Sequence, residues 1–134
     1  MKKILVTGSG GIGGVNFIRA LKLFKDKFFI VGTDFNKFYL QFGDLDKRVI
    51  SPKHSDPSFI PLLNQLTKQH KIEFLHPQPS SESLIVSQNL DKISTKTLLP
   101  KPNIISNDKL ETQKILLASG IAVAQTKTIN HYDL

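Results

Sequence analysis

Five glycines fall within the seven residues from Gly8 to Gly14, in the order Gly8-Ser9-Gly10-Gly11-Ile12-Gly13-Gly14. Their flanks make this cluster the strongest constraint on the fold. Before it, Lys3 to Val6 is a short apolar run. After it, apolar residues return at helical spacing, with Val15, Ile18 and Leu21 on one line and Phe17 and Phe24 beside it. The pattern predicts a strand, a tight turn and a helix. Glycines in such a turn supply backbone conformations that a β-carbon forbids, and they let neighbouring groups approach the main chain. The helix that follows starts with unpaired N–H groups and a partial positive charge, a seat for an anion.

Gly8, Gly11 and Gly14 have the spacing of the dinucleotide-binding fingerprint, and an acid, Asp34, ends the next apolar run, Phe28 to Thr33. Two readings stay open at this point. The turn holds a phosphate or dinucleotide, or its glycines only allow tight packing of helix on strand. Asp34 likewise either accepts hydrogen bonds from a ribose or caps the short segment from Asn36 to Phe42, and capping is the plainer reading.

The 134 residues are one domain's worth, and a chain of that size buries enough surface to fold without disulfides or metal. No cysteine is present, which excludes thiol catalysis and zinc–thiolate sites, and the cytoplasm is the default compartment. No apolar run approaches the roughly 20 residues that span a bilayer, so no membrane partner is expected. The four-residue apolar run behind Lys2 and Lys3 is too short for a signal peptide. The net charge of +7 attracts anions in general, but the basic residues are scattered, with no basic run interleaved with aromatics, so nucleic acid is not an expected partner.

The unalternating run at Phe28–Thr33 suits a strand covered on both faces, as in a parallel sheet. Lys37–Phe42 reads as a short aromatic helix or turn, and Arg48–Ile50 as a strand. A helix follows from a cap at Ser55 or Asp56 to about Gln69, with Phe59, Ile60, Leu62, Leu63 and Leu66 as its buried stripe. Ile72–His76 is the next strand. It runs into Pro77-Gln78-Pro79-Ser80-Ser81-Glu82, where Ser80 or Ser81 caps another helix. A short strand is expected around Thr97–Leu99, between Lys96 and Pro102. The last helix, Asp108 to Ser119, is capped by Ser106 or Asn107 and ended by Gly120. His54, His70, His76 and His131 have no metal-ligand spacing, and no residue is singled out as catalytic or metal-binding. Asn130 to Leu134 reads as the cap of a further helix, so more protein is expected to follow. Four strand-plus-helix units alternate, which predicts an α/β fold: a Rossmann-like, doubly wound, mainly parallel sheet with right-handed crossovers. The glycine turn, Asp34 and the Pro77–Glu82 segment then share the rim at the carboxyl ends of the strands, where such sheets bind ligands.

Two families share the opening ILVTGSGGIGG. It resembles the extended short-chain dehydrogenases and epimerases, which use a Tyr-x-x-x-Lys pair. Here Tyr39 is followed four places on by Gly43, and Tyr132 is close to the end, so that reading needs catalytic residues from elsewhere. A second resemblance covers nearly the whole chain. The opening, IVGTDFNKFYLQFGDLDKRVISP, KIEFLHPQPSSES and ISNDKLETQKILLASGIAVAQT resemble, in order, the pre-ATP-grasp domain of ATP-grasp enzymes, closest to the carbamoyl-phosphate synthase large-subunit-like group. Ala124 stands where that family often has proline.

That second resemblance implies a pre-ATP-grasp domain at residues 1–120 and the start of an ATP-grasp domain at 121–134. It implies a ligase that uses ATP and Mg²⁺ to activate a small carboxylate as an acyl phosphate, with the isolated domain inactive. The partner would be the missing C-terminal ATP-grasp domain, and apolar surface meant for it would favour a homodimer. The substrate or phosphate would meet Gly8, Ser9, Gly10, Gly11, Ile12, Asp34, Pro77 and Glu82, and Lys109 would reach the nucleotide.

Overall fold

Strands that read as continuous apolar runs need cover on both faces, and this determines the architecture. The structure is a computed structural model that describes residues 1–24, 27–100 and 108–126. In chain order it contains β1 (Lys2–Thr7), α1 (Ile12–Lys22), β2 (Phe28–Asp34), a single 3₁₀ turn at Tyr39–Gln41 and β3 (Lys47–Ile50). Then come α2 (Phe59–His70), β4 (Phe74–Pro77), α3 (Ser80–Gln88), a second 3₁₀ turn at Leu90–Lys92, β5 (Lys96–Thr97) and α4 (Lys109–Ala118).

All five strands run parallel in the order β3-β2-β1-β4-β5. Leu5 of β1 sits opposite Val31 of β2 on one side and Leu75 of β4 on the other. Alternate residues of the central strands feed two cores. Leu5, Val31 and Leu75 pack with Phe59 and Leu63 of α2 and Val86 of α3. Ile4, Val6 and Ile30 pack with Ile18 of α1 and with Leu40 and Leu45. Each fully buried Leu, Ile or Phe of this kind contributes about 1.5–3 kcal/mol. The chain winds outward from β1 to β3, then returns to β4 beside β1, so the winding reverses between β1 and β4. This is the expected doubly wound fold, and ligand sites of such sheets lie outside the strand ends at that reversal.

Several boundaries differ from expectation for local reasons. α2 begins after Ser58, because Asp56 Oδ1 accepts hydrogen bonds from Ser58 N (2.8 Å) and Oγ (2.6 Å) and so holds a turn ahead of the helix. β4 starts at Phe74, since the Ile72 N–H donates to the Thr67 carbonyl (2.9 Å) and closes α2. Ser80 and Ser81 are inside α3, not caps: β4 runs through Pro77 and the helix opens directly after Pro79. Asp108 caps α4, accepting from the N–H groups of Leu110 and Glu111. The expected caps Ser106 and Asn107, and the tail from Asn130, lie outside the described residues. Among the described residues no helix is long and apolar enough to cross a membrane.

Candidate functional site

The glycine turn leaves β1 at Thr7 and is tied down before it reaches α1. Gly8 has φ +55°, and a β-carbon there would run into the Pro79 ring. Ser9 is fully buried; its N–H (3.0 Å) and Oγ (3.1 Å) both donate to the Thr33 carbonyl at the end of β2. The Gly10 N–H donates to Asp34 Oδ2 (3.1 Å), and that of Gly11 to the Gly8 carbonyl (3.2 Å). The next three amides, of Ile12, Gly13 and Gly14, have no hydrogen-bond partner among the described residues. They open the first turn of an 11-residue helix that has no acidic side chain there. Gly11, Ile12 and Gly13 are exposed, so the available strip is the start of α1 and not the whole turn.

The other expected site residues are placed differently. Asp34 is 4% exposed, and its second oxygen accepts from the Asn36 N–H (2.9 Å). It clips the glycine turn to the end of β2, while Asn36 Oδ1 accepts from Phe38 N (2.9 Å) to hold the following loop. Pro77 is a strand residue opposite Thr7, and its carbonyl accepts from Ser83 Oγ (2.8 Å). Glu82 is 4% exposed beneath the turn. Burial pushes its carboxyl up to about 7, the nearby Thr7 hydroxyl pulls it down, and the Asp34 charge raises it again. Neither Glu82 Oε2 nor Thr7 Oγ1 completes a hydrogen bond among the described residues. Lys109 is exposed in the first turn of α4, a helix that buries none of its residues.

One residue at the rim was not singled out from the sequence. Gln78, between Pro77 and Pro79, lays its carboxamide on Gly13, where a β-carbon would collide with Nε2. Its Oε1 lies 2.8 Å from His76 Nε2, and the His76 ring stacks on Phe17 of α1 with centroids 3.9 Å apart. A polar residue framed by prolines at a strand's carboxyl end was the available signal. A hollow of about 250 Å³ borders the turn on its other side, lined by Gly10, Ile12, Val15, Asn16, Arg19 and Phe42. Larger grooves, about 560 and 530 Å³, lie at the amino ends of the strands and between α2 and α3, and no residue of the glycine turn lines either.

No family model matches this chain, and no curated protein matches it. Solved structures do. The dTDP-glucose 4,6-dehydratase from Bacillus anthracis, solved in complex with NAD, superposes with a TM-score of 0.51 at 15% identity, over 88% of this chain and 50% of that one. UDP-D-quinovosamine 4-dehydrogenase from Vibrio fischeri gives a TM-score of 0.50 at 18% identity, over 97% of this chain and 94% of that one. The fold is Rossmann-like. The chain spans about half the length of the Bacillus enzyme.

These neighbours overturn the pre-ATP-grasp reading. They are a dehydratase and a dehydrogenase, not ATP-grasp enzymes, and the nucleotide in the first is NAD. The ligase function and ATP and Mg²⁺ as cofactors are withdrawn with it, and the expected carboxylate substrate and ATP-grasp partner domain lose the resemblance they rested on. The last of the matching segments, ISNDKLETQKILLASGIAVAQT, has a plainer physical account. Asp108 caps α4, and the N–H groups of Gly120 and Ile121 close it onto the Leu117 and Leu116 carbonyls (3.0 Å each). An acid, a helix and a glycine in that order are general start and stop chemistry. Glu82, matched to that family's glutamate, is buried under the turn and does not face the rim.

Proposed function

We propose that this chain is the dinucleotide-binding half of a nicotinamide-dependent enzyme of the extended short-chain dehydrogenase and epimerase kind. One observation carries the reading: the partnerless Ile12, Gly13 and Gly14 amides open α1 beside the reversal of the sheet's winding. An N-terminus of this kind favours a phosphate through both its N–H groups and its partial charge. The residues fit such a group. A β-carbon on Gly11 would meet only the Gly8 carbonyl oxygen, at 3.5 Å, so the strip has open space in front of it. The exposed Ile12 and Gly13 amides would hold the pyrophosphate, and Asp34 would keep the turn in register with β2. The bound dinucleotide would supply hydride transfer at its nicotinamide ring. Asp34 is buried and each of its oxygens accepts from a backbone N–H, so its role here is support of the turn.

Titration calorimetry with NADH, NADPH and MgATP tests the reading. Binding of a pyridine nucleotide in the micromolar range, tighter than MgATP, is expected. No binding of either pyridine nucleotide, or tighter binding of MgATP, overturns it.

A further inference from the structure

Gln78 belongs to a small relay that connects β4 to the helix it faces. Pro77 and Pro79 restrict the backbone on both sides of it. Its Oε1 faces His76 Nε2 at 2.8 Å, which requires the proton on that ring nitrogen and makes His76 the donor. The His76 ring is held in turn against Phe17, 3.9 Å between centroids and 20° from parallel. Phe17 belongs to α1, so the relay returns to the helix whose first turn is in question. With Oε1 committed, Gln78 Nε2 and its two hydrogens lie on Gly13, and no partner for them exists among the described residues. Gly13 admits the carboxamide because it has no side chain: a β-carbon would sit 3.2 Å from Cδ and 3.5 Å from Cγ, and closer still to Nε2. Side-chain donors are therefore held next to the vacant amides of Ile12, Gly13 and Gly14.

We propose that Gln78 completes the phosphate seat: its Nε2 donates to a phosphoryl oxygen held by the first-turn amides of α1, with His76 as the positioning residue. The inference rests on the dinucleotide reading and names a residue of that site outside the glycine turn. It predicts a contact from the β4 side, the side opposite the hollow at Phe42 and Arg19.

The test is NADH titration by calorimetry on the wild type, Gln78→Ala, Gln78→Glu and His76→Phe. Loss of a hydrogen bond to a charged oxygen lowers affinity about tenfold to a hundredfold, so Gln78→Ala is expected in that range. Gln78→Glu is expected below it, because a carboxylate then faces phosphate. His76→Phe keeps the ring stack and removes the donor. It is expected to weaken binding in the wild type and to change nothing in the Gln78→Ala background, whereas a merely structural role would weaken both. Should a variant fail to fold, the side-chain amide resonances of Gln78 in the wild type provide a second readout and are expected to shift on NADH addition. Wild-type binding with unchanged affinity in both Gln78 variants, or with Gln78→Glu no weaker than Gln78→Ala, overturns the inference and leaves the dinucleotide reading standing. Unmoved Gln78 amide resonances do the same. A wild type that does not bind NADH overturns the dinucleotide reading, and this inference with it.

Discussion

Glu82 gives the sharpest test of the packing beneath the turn. Its carboxyl is 4% exposed, Oε2 has no partner among the described residues, and its pKa rises from the ordinary 4.5 to about 7. Burial is the main cause, since desolvation penalises the charged form. At about 1.36 kcal/mol for each pH unit, the rise amounts to about 3 kcal/mol. Its sign follows from proton binding. Between about pH 4.5 and about pH 7 the folded state holds the Glu82 proton while the unfolded state has released it. Stability from this group is therefore full below about pH 4.5, falls as pH rises, and is lost above about pH 7. Glu82→Gln keeps the shape and removes the titration. Urea denaturation of both proteins from about pH 4 to about pH 9 isolates the effect, because the groups not coupled to Glu82 cancel in the difference. The variant is expected to match the wild type at the acid end and to exceed it by about 3 kcal/mol at the alkaline end. Curves that run parallel over the whole range refute the reasoning.

Two further substitutions test the backbone. Gly8→Ala places a β-carbon at φ +55° against the Pro79 ring and is expected to cost at least about 2 kcal/mol. Gly11→Ala, with 3.5 Å to its nearest neighbour, is expected to stay within about 0.5 kcal/mol in the same urea assay. Lys71 closes α2 in the left-handed region, at φ 55°, where a side chain costs about 1–2 kcal/mol. Lys71→Gly recovers that strain less the greater freedom of glycine in the unfolded chain. The expected net gain is about 0.5–1 kcal/mol, a rise of about 2–5 °C in Tm by calorimetry. An unchanged or lower Tm contradicts it.

The alternation of apolar runs with helical stripes determined the fold class in advance. Val6 and Ile18, or Leu5 and Leu63, are recognisable as core from spacing alone, because local periodicity states which face of an element is apolar. The glycine turn was legible for the same reason, lying between a strand pattern and a helix pattern. Family resemblance was less reliable. Asp108, a helix and Gly120 satisfy capping chemistry that unrelated folds share, so their order carried little about the ligand. Tertiary structure alone decided which polar groups reach the rim. Ser9 and Asp34 belong to the turn's neighbourhood by sequence, yet both are buried there, the Ser9 hydroxyl on the Thr33 carbonyl and the Asp34 carboxylate on the Gly10 and Asn36 amides. Glu82 is carried under the turn because β4 runs straight into α3. Gln78 reaches Gly13 only because the sheet places β4 beside β1, a pairing between distant segments that no local period encodes.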